Sequence, residues 1–309
     1  MTRIIRYTAV LAGFLFWSPL EAAAAVKVVA TTEDLASIVR EVGGDRVTVQ
    51  SIARGYQDPH FVEAKPSFII MLHNADLLVL VGRELEMAWL PALITQSRNP
   101  KIQPGASGHL DASLTARITD VPTGPITRAM GDVHPSGNPH YWLDPGNGRL
   151  IAKALQARLT QLSPADAGYF ESRYADFDRR LAEGEKRWLA AMAPYKGTKI
   201  VTYHRSWSNF AERFGLDVVG YVEPKPGIPP SPAHQLALVQ EMRQQKIHII
   251  LVERYFDLKT PNAIARDTGA TVLVMPPSVG GVKEAKDYLS LFDYDINLLV
   301  STLAKAGAK

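Results

Sequence analysis

The 309 residues contain no cysteine. That excludes disulfides, thiolate metal ligands and a cysteine-borne lipid at a processing site, so any metal site must be built from imidazole and carboxylate. An excess of one charge is lacking too, with 34 Lys and Arg against 31 Asp and Glu. Such a balance gives no basis for a nucleic-acid partner or an anionic membrane surface. Long apolar runs are missing beyond the N-terminus, and the one there, Tyr7 to Trp17, is shorter than the ~20 residues of a membrane span. With Arg3 and Arg6 before it and Ala23-Ala24-Ala25 after it, that run reads as a cleaved secretory signal peptide over residues 1–25. The expected mature chain begins near Val26, is soluble, has no lipid anchor and keeps 32 basic and 30 acidic residues. There is also no His-Glu-x-x-His segment, no nucleophile elbow and no glycine-rich phosphate loop.

What is present is an alternation of short apolar runs with longer amphipathic stretches, which predicts an α/β fold with largely parallel sheets. Strands are expected at 26–31, 47–52, 77–81, 199–203, 217–221, 249–253 and 271–275. Thr32-Glu33-Asp34 caps a helix that carries Leu35, Ile38 and Val39 and stops at Gly43-Gly44. Residues 102–122 read as irregular with several possible short strands, and the Gly- and Pro-rich stretch 123–139, with Met130, Asp132 and His134, as a loop. Tyr169, Phe170, Tyr174, Phe177, Leu181 and Trp188 recur at helical spacing over 164–192. That helix would be a rod of about 40 Å, long enough to run between two lobes. The length beyond the signal peptide exceeds what one compact core usually serves, and two lobes are expected: 26–162, a linker helix at 163–194, and 195–309.

Three histidines sit on turns between an apolar strand and an amphipathic segment. They are His60 in Asp58-Pro59-His60-Phe61-Val62-Glu63-Ala64-Lys65-Pro66-Ser67, His140 in Asn138-Pro139-His140-Tyr141-Trp142-Leu143-Asp144-Pro145, and His204 in Tyr203-His204-Arg205-Ser206-Trp207. Proline fixes the backbone of the first two before a ligand arrives, which suits a preformed imidazole site. A lone turn histidine is more commonly just solvated or hydrogen-bonded. Taken together and in order, these segments resemble the TroA-like solute-binding proteins of bacterial metal ABC transporters, which capture zinc or manganese in the periplasm.

The resemblance covers nearly the whole mature chain. It implies two α/β lobes with parallel sheets flanked by helices and joined by a single long helix, a metal in the cleft, a periplasmic location, and an inner-membrane ABC permease as partner of a monomer. It implies metal ligation by His60, His140 and His204, and by Asp287 in Lys286-Asp287-Tyr288-Leu289-Ser290. On physical grounds alone, Asp287 reads as the N-cap of the last helix. Asp293 and Asp295 read as solvated helix residues. Some manganese-type members carry glutamate where His204 stands, so the histidine favours Zn²⁺ over Mn²⁺. Many zinc-type members also carry a long histidine-rich insertion where this chain has a short loop with His134 alone, which reads as a tether, with a transient contact during metal loading as the alternative.

Three imidazoles and one carboxylate make a closed tetrahedral set, suited to binding and not to catalysis. The competing reading is a secreted zinc-dependent hydrolase, which needs an open coordination position and a general base such as Glu63 or Glu253.

Overall fold

The structure, a computed structural model, describes residues 25–125, 127 and 134–307. The signal-peptide reading over 1–24, and Met130 and Asp132, fall outside them. No helix among the described residues is long and apolar enough to cross a membrane.

Two four-stranded parallel sheets form the two lobes. The first contains β1 (Val26–Ala30), β2 (Val47–Ser51), β3 (Leu77–Leu80) and β4 (His109–Asp111) in the order β2-β1-β3-β4. The second contains β5 (Lys199–Thr202), β6 (Asp217–Tyr221), β7 (Ile249–Glu253) and β8 (Thr271–Met275) in the order β6-β5-β7-β8. The same order in both halves makes them architectural copies. Each sheet is buried on both faces, because the period-2 alternation of a strand carries apolar side chains both ways. In β7, Ile249 and Leu251 join the core shared by the two lobes, while Ile250 and Val252 face a separate cluster under α7 (Pro232–Gln245) and α8 (Lys259–Thr268).

Helix α1 (Glu33–Gly43) starts where expected: the Thr32 hydroxyl accepts from the Leu35 amide, and Leu35, Ile38, Val39 and Val42 form the buried stripe. α2 (Pro66–His73) and α3 (Leu90–Ser97) cover the other face of the first sheet, and α4 (Pro145–Leu162) leads into the long helix α5 (Ala167–Met192). α5 has 26 residues, or about 39 Å at ~1.5 Å per residue, and buries Phe170, Phe177, Leu181, Gly184, Trp188 and Met192 along one stripe. After α5 come β5 and α6 (Ser208–Phe214), and the chain closes with α9 (Tyr288–Lys305).

Hydrogen bonds between the two lobes act beside the long helix. α9 belongs to the second half in sequence, yet its first residue donates its amide to Ser37 Oγ of α1 at 2.9 Å, and the Tyr288 hydroxyl donates to the Trp142 carbonyl at 2.5 Å. The Val279 amide donates to Asp34 Oδ1 at 2.9 Å, and Arg213 of α6 grips Asp144 through Nε at 2.6 Å and Nη2 at 2.9 Å. Staples of this kind resist a wide hinge opening and favour small shifts of loops and lobes.

One reading of the last helix is corrected. Asp295 is not solvated but fully buried, because the stripe Tyr288, Leu291, Phe292, Asp295, Ile296, Leu299 and Leu303 places it on the core face. Asp293 is half exposed and accepts a hydrogen bond from Trp188 Nε1 at 2.7 Å.

Candidate metal centre

The carboxyl ends of both sheets face one cleft, the usual place for a ligand in open α/β sheets. The same local device delivers the first two histidines. In Asp58-Pro59-His60, Asp58 Oδ1 accepts from the His60 amide at 2.9 Å and faces its Nδ1 at 2.7 Å. In Asn138-Pro139-His140, Asn138 Oδ1 accepts from the His140 amide at 2.9 Å and faces its Nδ1 at 2.9 Å. An Asx side chain closing on the residue two along is ordinary turn chemistry; here it also orients a ring. The Asn138 amide is itself oriented, since its Nδ2 donates to Asp120 Oδ2 at 2.9 Å and the Arg205 carbonyl at 2.7 Å. His204 follows β5 directly, and its Nδ1 faces Glu223 Oε2 at 2.7 Å from the segment after β6.

Each Nδ1 therefore points its hydrogen at an acceptor, which leaves each Nε2 as a bare lone pair. The three rings form a near-equilateral triangle, with centroids 5.1 Å apart for His60 and His140 and 5.4 Å for each with His204. One ring nitrogen from each histidine lies within 4.8 Å of the others, an arrangement able to hold a metal ion. His140 is 1% exposed and its Nε2 has no hydrogen-bond partner. A buried polar atom so placed calls for an explanation, and a coordinated cation supplies one.

The electrostatics suit neutral imidazoles. Burial, reinforced by His60, His204 and His134, holds His140 well below its usual value. Burial would raise the Asp58 carboxyl, but its hydrogen bond to His60 and the His60 charge outweigh that and leave it below the ordinary carboxylate range. A cavity of about 390 Å³, lined by His134, His140, His204, Asp120 and Arg205 among others, opens the triangle to solvent.

The expected carboxylate ligand is not in this cluster. Asp287 is the N-cap of α9: its Oδ1 accepts from the Ser290 amide at 2.8 Å, and Ser290 Oγ accepts from the Asp287 amide at 2.9 Å, a reciprocal capping box. Its carboxylate is committed to a helix end. Asp287→Ala should thus lower stability by about 1 kcal/mol and leave zinc affinity unchanged, which denaturant melts and a zinc titration of the same variant will check.

Three contributors escaped the sequence reading. Glu223 lies 19 residues after His204 and carries no local signature. Asn138 is half of the repeated Asx-Pro-His motif, and comparing the two copies would have exposed it. His134, read as a tether, lies with its Nε2 3.3 Å from His60 Nε2 and its ring centroid 5.3 Å away. Burial, with His60 and His204 beside it, pushes His134 down to about 4.

Removing an acceptor should unlock a ring without removing a nitrogen. Glu223→Gln is expected to weaken zinc binding about 10- to 100-fold while preserving a 1:1 stoichiometry. Calorimetric titration will decide, and an unchanged dissociation constant would show that His204 needs no orienting partner.

The chain matches, over residues 28–302, the family model described as zinc-uptake complex component A, periplasmic. It is 24% identical over 288 residues to the manganese ABC transporter substrate-binding lipoprotein PsaA of Streptococcus anginosus, covering 91% of this chain and 90% of the relative. It is 24% identical over 314 residues to the high-affinity zinc uptake system protein ZnuA of Yersinia pestis, covering 94% and 95%. A crystal structure of ZnuA superposes with a TM-score of 0.73 at 22% identity, over 90% of this chain and 99% of that one. A periplasmic metal binding protein from Candidatus Liberibacter asiaticus gives 0.71 at 21% identity, again over 90% and 99%. At these identities, the superpositions speak to the two-lobed fold alone.

Proposed function

The chain belongs to the zinc-uptake complex component A family, and we propose that it captures zinc in the periplasm and hands it to an ABC permease. A substrate-binding protein of a metal transporter is the reading common to its curated relatives, one of them named for zinc and another for manganese. Zinc is the finer choice. The observation that carries it is the triangle of His60, His140 and His204, each ring fixed through Nδ1 so that three lone pairs converge. Imidazole suits zinc, whereas manganese prefers carboxylate and water oxygens.

Binding, not turnover, is the proposed activity. The two carboxylates considered as general bases, Glu63 and Glu253, are not among the groups hydrogen-bonded to the three imidazoles. Glu63 is exposed and Glu253 fully buried. The absence of cysteine from the sequence supports a mature form without an acylated cysteine, unlike the streptococcal relatives named as lipoproteins.

The test is metal analysis of protein recovered from the periplasm of cells that produce it, followed by competition between zinc and manganese for the stripped protein. One equivalent of zinc, held in the presence of excess manganese, is expected. Retention of manganese over zinc, or zinc-dependent hydrolysis lost in Glu253→Gln, would overturn the reading.

A further inference from the structure

We propose that Asn138 is a pin between the two lobes whose breaking lets the ion go: its side chain holds the His140 ring through Oδ1 and the backbone beside His204 through Nδ2. The inference rests on the reading above that His60, His140 and His204 bind the ion, and adds how their grip is loosened.

The first support is that one buried amide uses both its donors and its acceptor. Asn138 is 5% exposed. Its Oδ1 serves the His140 amide and Nδ1, both at 2.9 Å, while Nδ2 donates to Asp120 Oδ2 at 2.9 Å in the first lobe and to the Arg205 carbonyl at 2.7 Å in the second. Both partners of Nδ2 are acceptors and the His140 amide is a donor, so chemistry alone fixes which way the Asn138 side chain points. Of the interlobe hydrogen bonds named above, this one alone shares its side chain with a proposed ligand.

The second support is the difference between the two Asx-Pro-His copies. In the first, Asp58 holds the His60 amide and ring with one carboxylate oxygen. An aspartate at 138 would hold the His140 ring in the same way, but its second oxygen would face Asp120 Oδ2 and the Arg205 carbonyl, three acceptors with no hydrogen among them. What asparagine adds over aspartate is therefore the pair of donors, and one of them crosses to the other lobe.

The third support is that both ends of the pin are mounted rigidly. On the first lobe, the Asn138 amide donates to the Thr119 carbonyl at 2.9 Å, and Gly137 before it has φ of 101°, where an added Cβ would lie 2.5 Å from Ile118 Cγ2. On the second, the Arg205 guanidinium lies 4.1 Å from the centre of the Tyr221 ring, and Thr202 Oγ1 donates to the His204 carbonyl at 2.7 Å. Neither mount can follow the other lobe when it moves. A small shift of the lobes at this point takes the Arg205 carbonyl from Nδ2, leaves the amide held by Asp120 alone, and loosens the acceptor that aims the His140 Nε2 at the ion. Asn138 is thus a positioning residue for two ligands on two lobes.

The experiment is zinc release from the loaded mature chain to excess chelator, followed by stopped flow, beside hydrogen exchange of the metal-free chain. Asn138→Asp keeps the acceptor for the ring and loses the donors. It should release zinc about 10- to 100-fold faster and exchange faster over residues 138–144 and 203–207, with α5 and α9 unchanged. Asp120→Asn in that background restores a donor within the first lobe and should not restore slow release. Tyr221→Leu leaves Asn138 in place but unseats Arg205; it should speed release about threefold, and it decides the matter where Asn138→Asp does not fold. Release from Asn138→Asp as slow as native would show that Asn138 only holds the ring, and recovery on adding Asp120→Asn would show that the bond within one lobe is the one that counts; either overturns the pin while leaving the triangle intact. A native protein that takes up no zinc, or a His140→Ala variant that binds as tightly as native, would instead sink the reading on which it rests.

Discussion

His140→Ala should weaken zinc binding by at least about 100-fold, or about 2.7 kcal/mol at ~1.36 kcal/mol per factor of ten. His140 is the deepest corner of the triangle, 1% exposed, with its Nε2 unpartnered and its backbone and ring both tied to Asn138. Alanine removes a nitrogen that no neighbour is free to replace. Trp142 and Tyr141, which follow it, are fixed by hydrogen bonds to the carbonyls of Pro277 and Val81 at 2.9 and 2.6 Å, so the surrounding turn has little freedom to collapse inward. His204→Ala should lose less, because it frees the Glu223 carboxylate on the same side of the site. His60→Ala should fall between them. Competition with a chromophoric chelator at neutral pH resolves such differences, and a His140→Ala dissociation constant within about threefold of native would remove that residue from the site.

How much of this was legible in the sequence depends on how local each interaction is. Strands such as Ile249–Glu253 and the cap at Thr32 are written in consecutive residues, and the sequence places them within a residue or two. The long helix is equally plain, since its stripe repeats over 26 residues. β4 lies in a stretch read as irregular with several possible short strands, and it could not be located there because three residues carry no usable periodicity and their strand character comes from pairing beside β3. The three histidines stand out through their turns, two of which are copies of one Asx-Pro-His device. Asp287 stays open in the sequence because a helix cap and a carboxylate ligand use the same residue type, and its contacts with Ser290 are those of a cap. His134 and Glu223 were illegible for a different reason: what places them is a fold-dependent meeting of segments 74 and 19 residues apart. Asp295 shows the converse error, a charged residue assigned to solvent although its helical register with Leu291 and Leu299 put it inside.

Raising the pH from about 6.5 to 8.5 should destabilise the metal-free protein by about 3 kcal/mol, and Glu253→Gln should abolish about 2 kcal/mol of that loss. Glu253 ends β7 with no exposed surface, so burial pushes it up to about 8, aided by the charges of Asp58 and Glu223 and only partly offset by the Ser206 hydroxyl. Burial likewise raises Asp34 and Glu86 to about 7, and raises Asp295 well above the ordinary carboxylate range with the Asp34 charge adding to it. A carboxyl group raised in this way keeps its proton in the folded state where the unfolded chain, ionising near ~4, has already lost it. The folded protein then binds more protons, and stability falls as pH climbs until the folded group itself ionises. Glu253 alone contributes ~1.4 kcal/mol per pH unit from about 6.5 to its midpoint, and Asp34 and Glu86 end their contribution sooner. The buried histidines act in the opposite sense but in another window. His140 and His134 are depressed, so they cost stability only as pH drops below the unfolded value near ~6.5, and above it they are neutral in both states. The alkaline limb therefore isolates the acids. Urea unfolding of chelator-treated protein at several pH values measures it, with metal removed because a bound ion would add its own binding free energy to the folded state. A profile flat between about pH 6.5 and 8.5, or a slope that Glu253→Gln leaves intact, would mean that Glu253 is already ionised beneath the imidazoles and adds a third negative charge to those of Asp58 and Glu223.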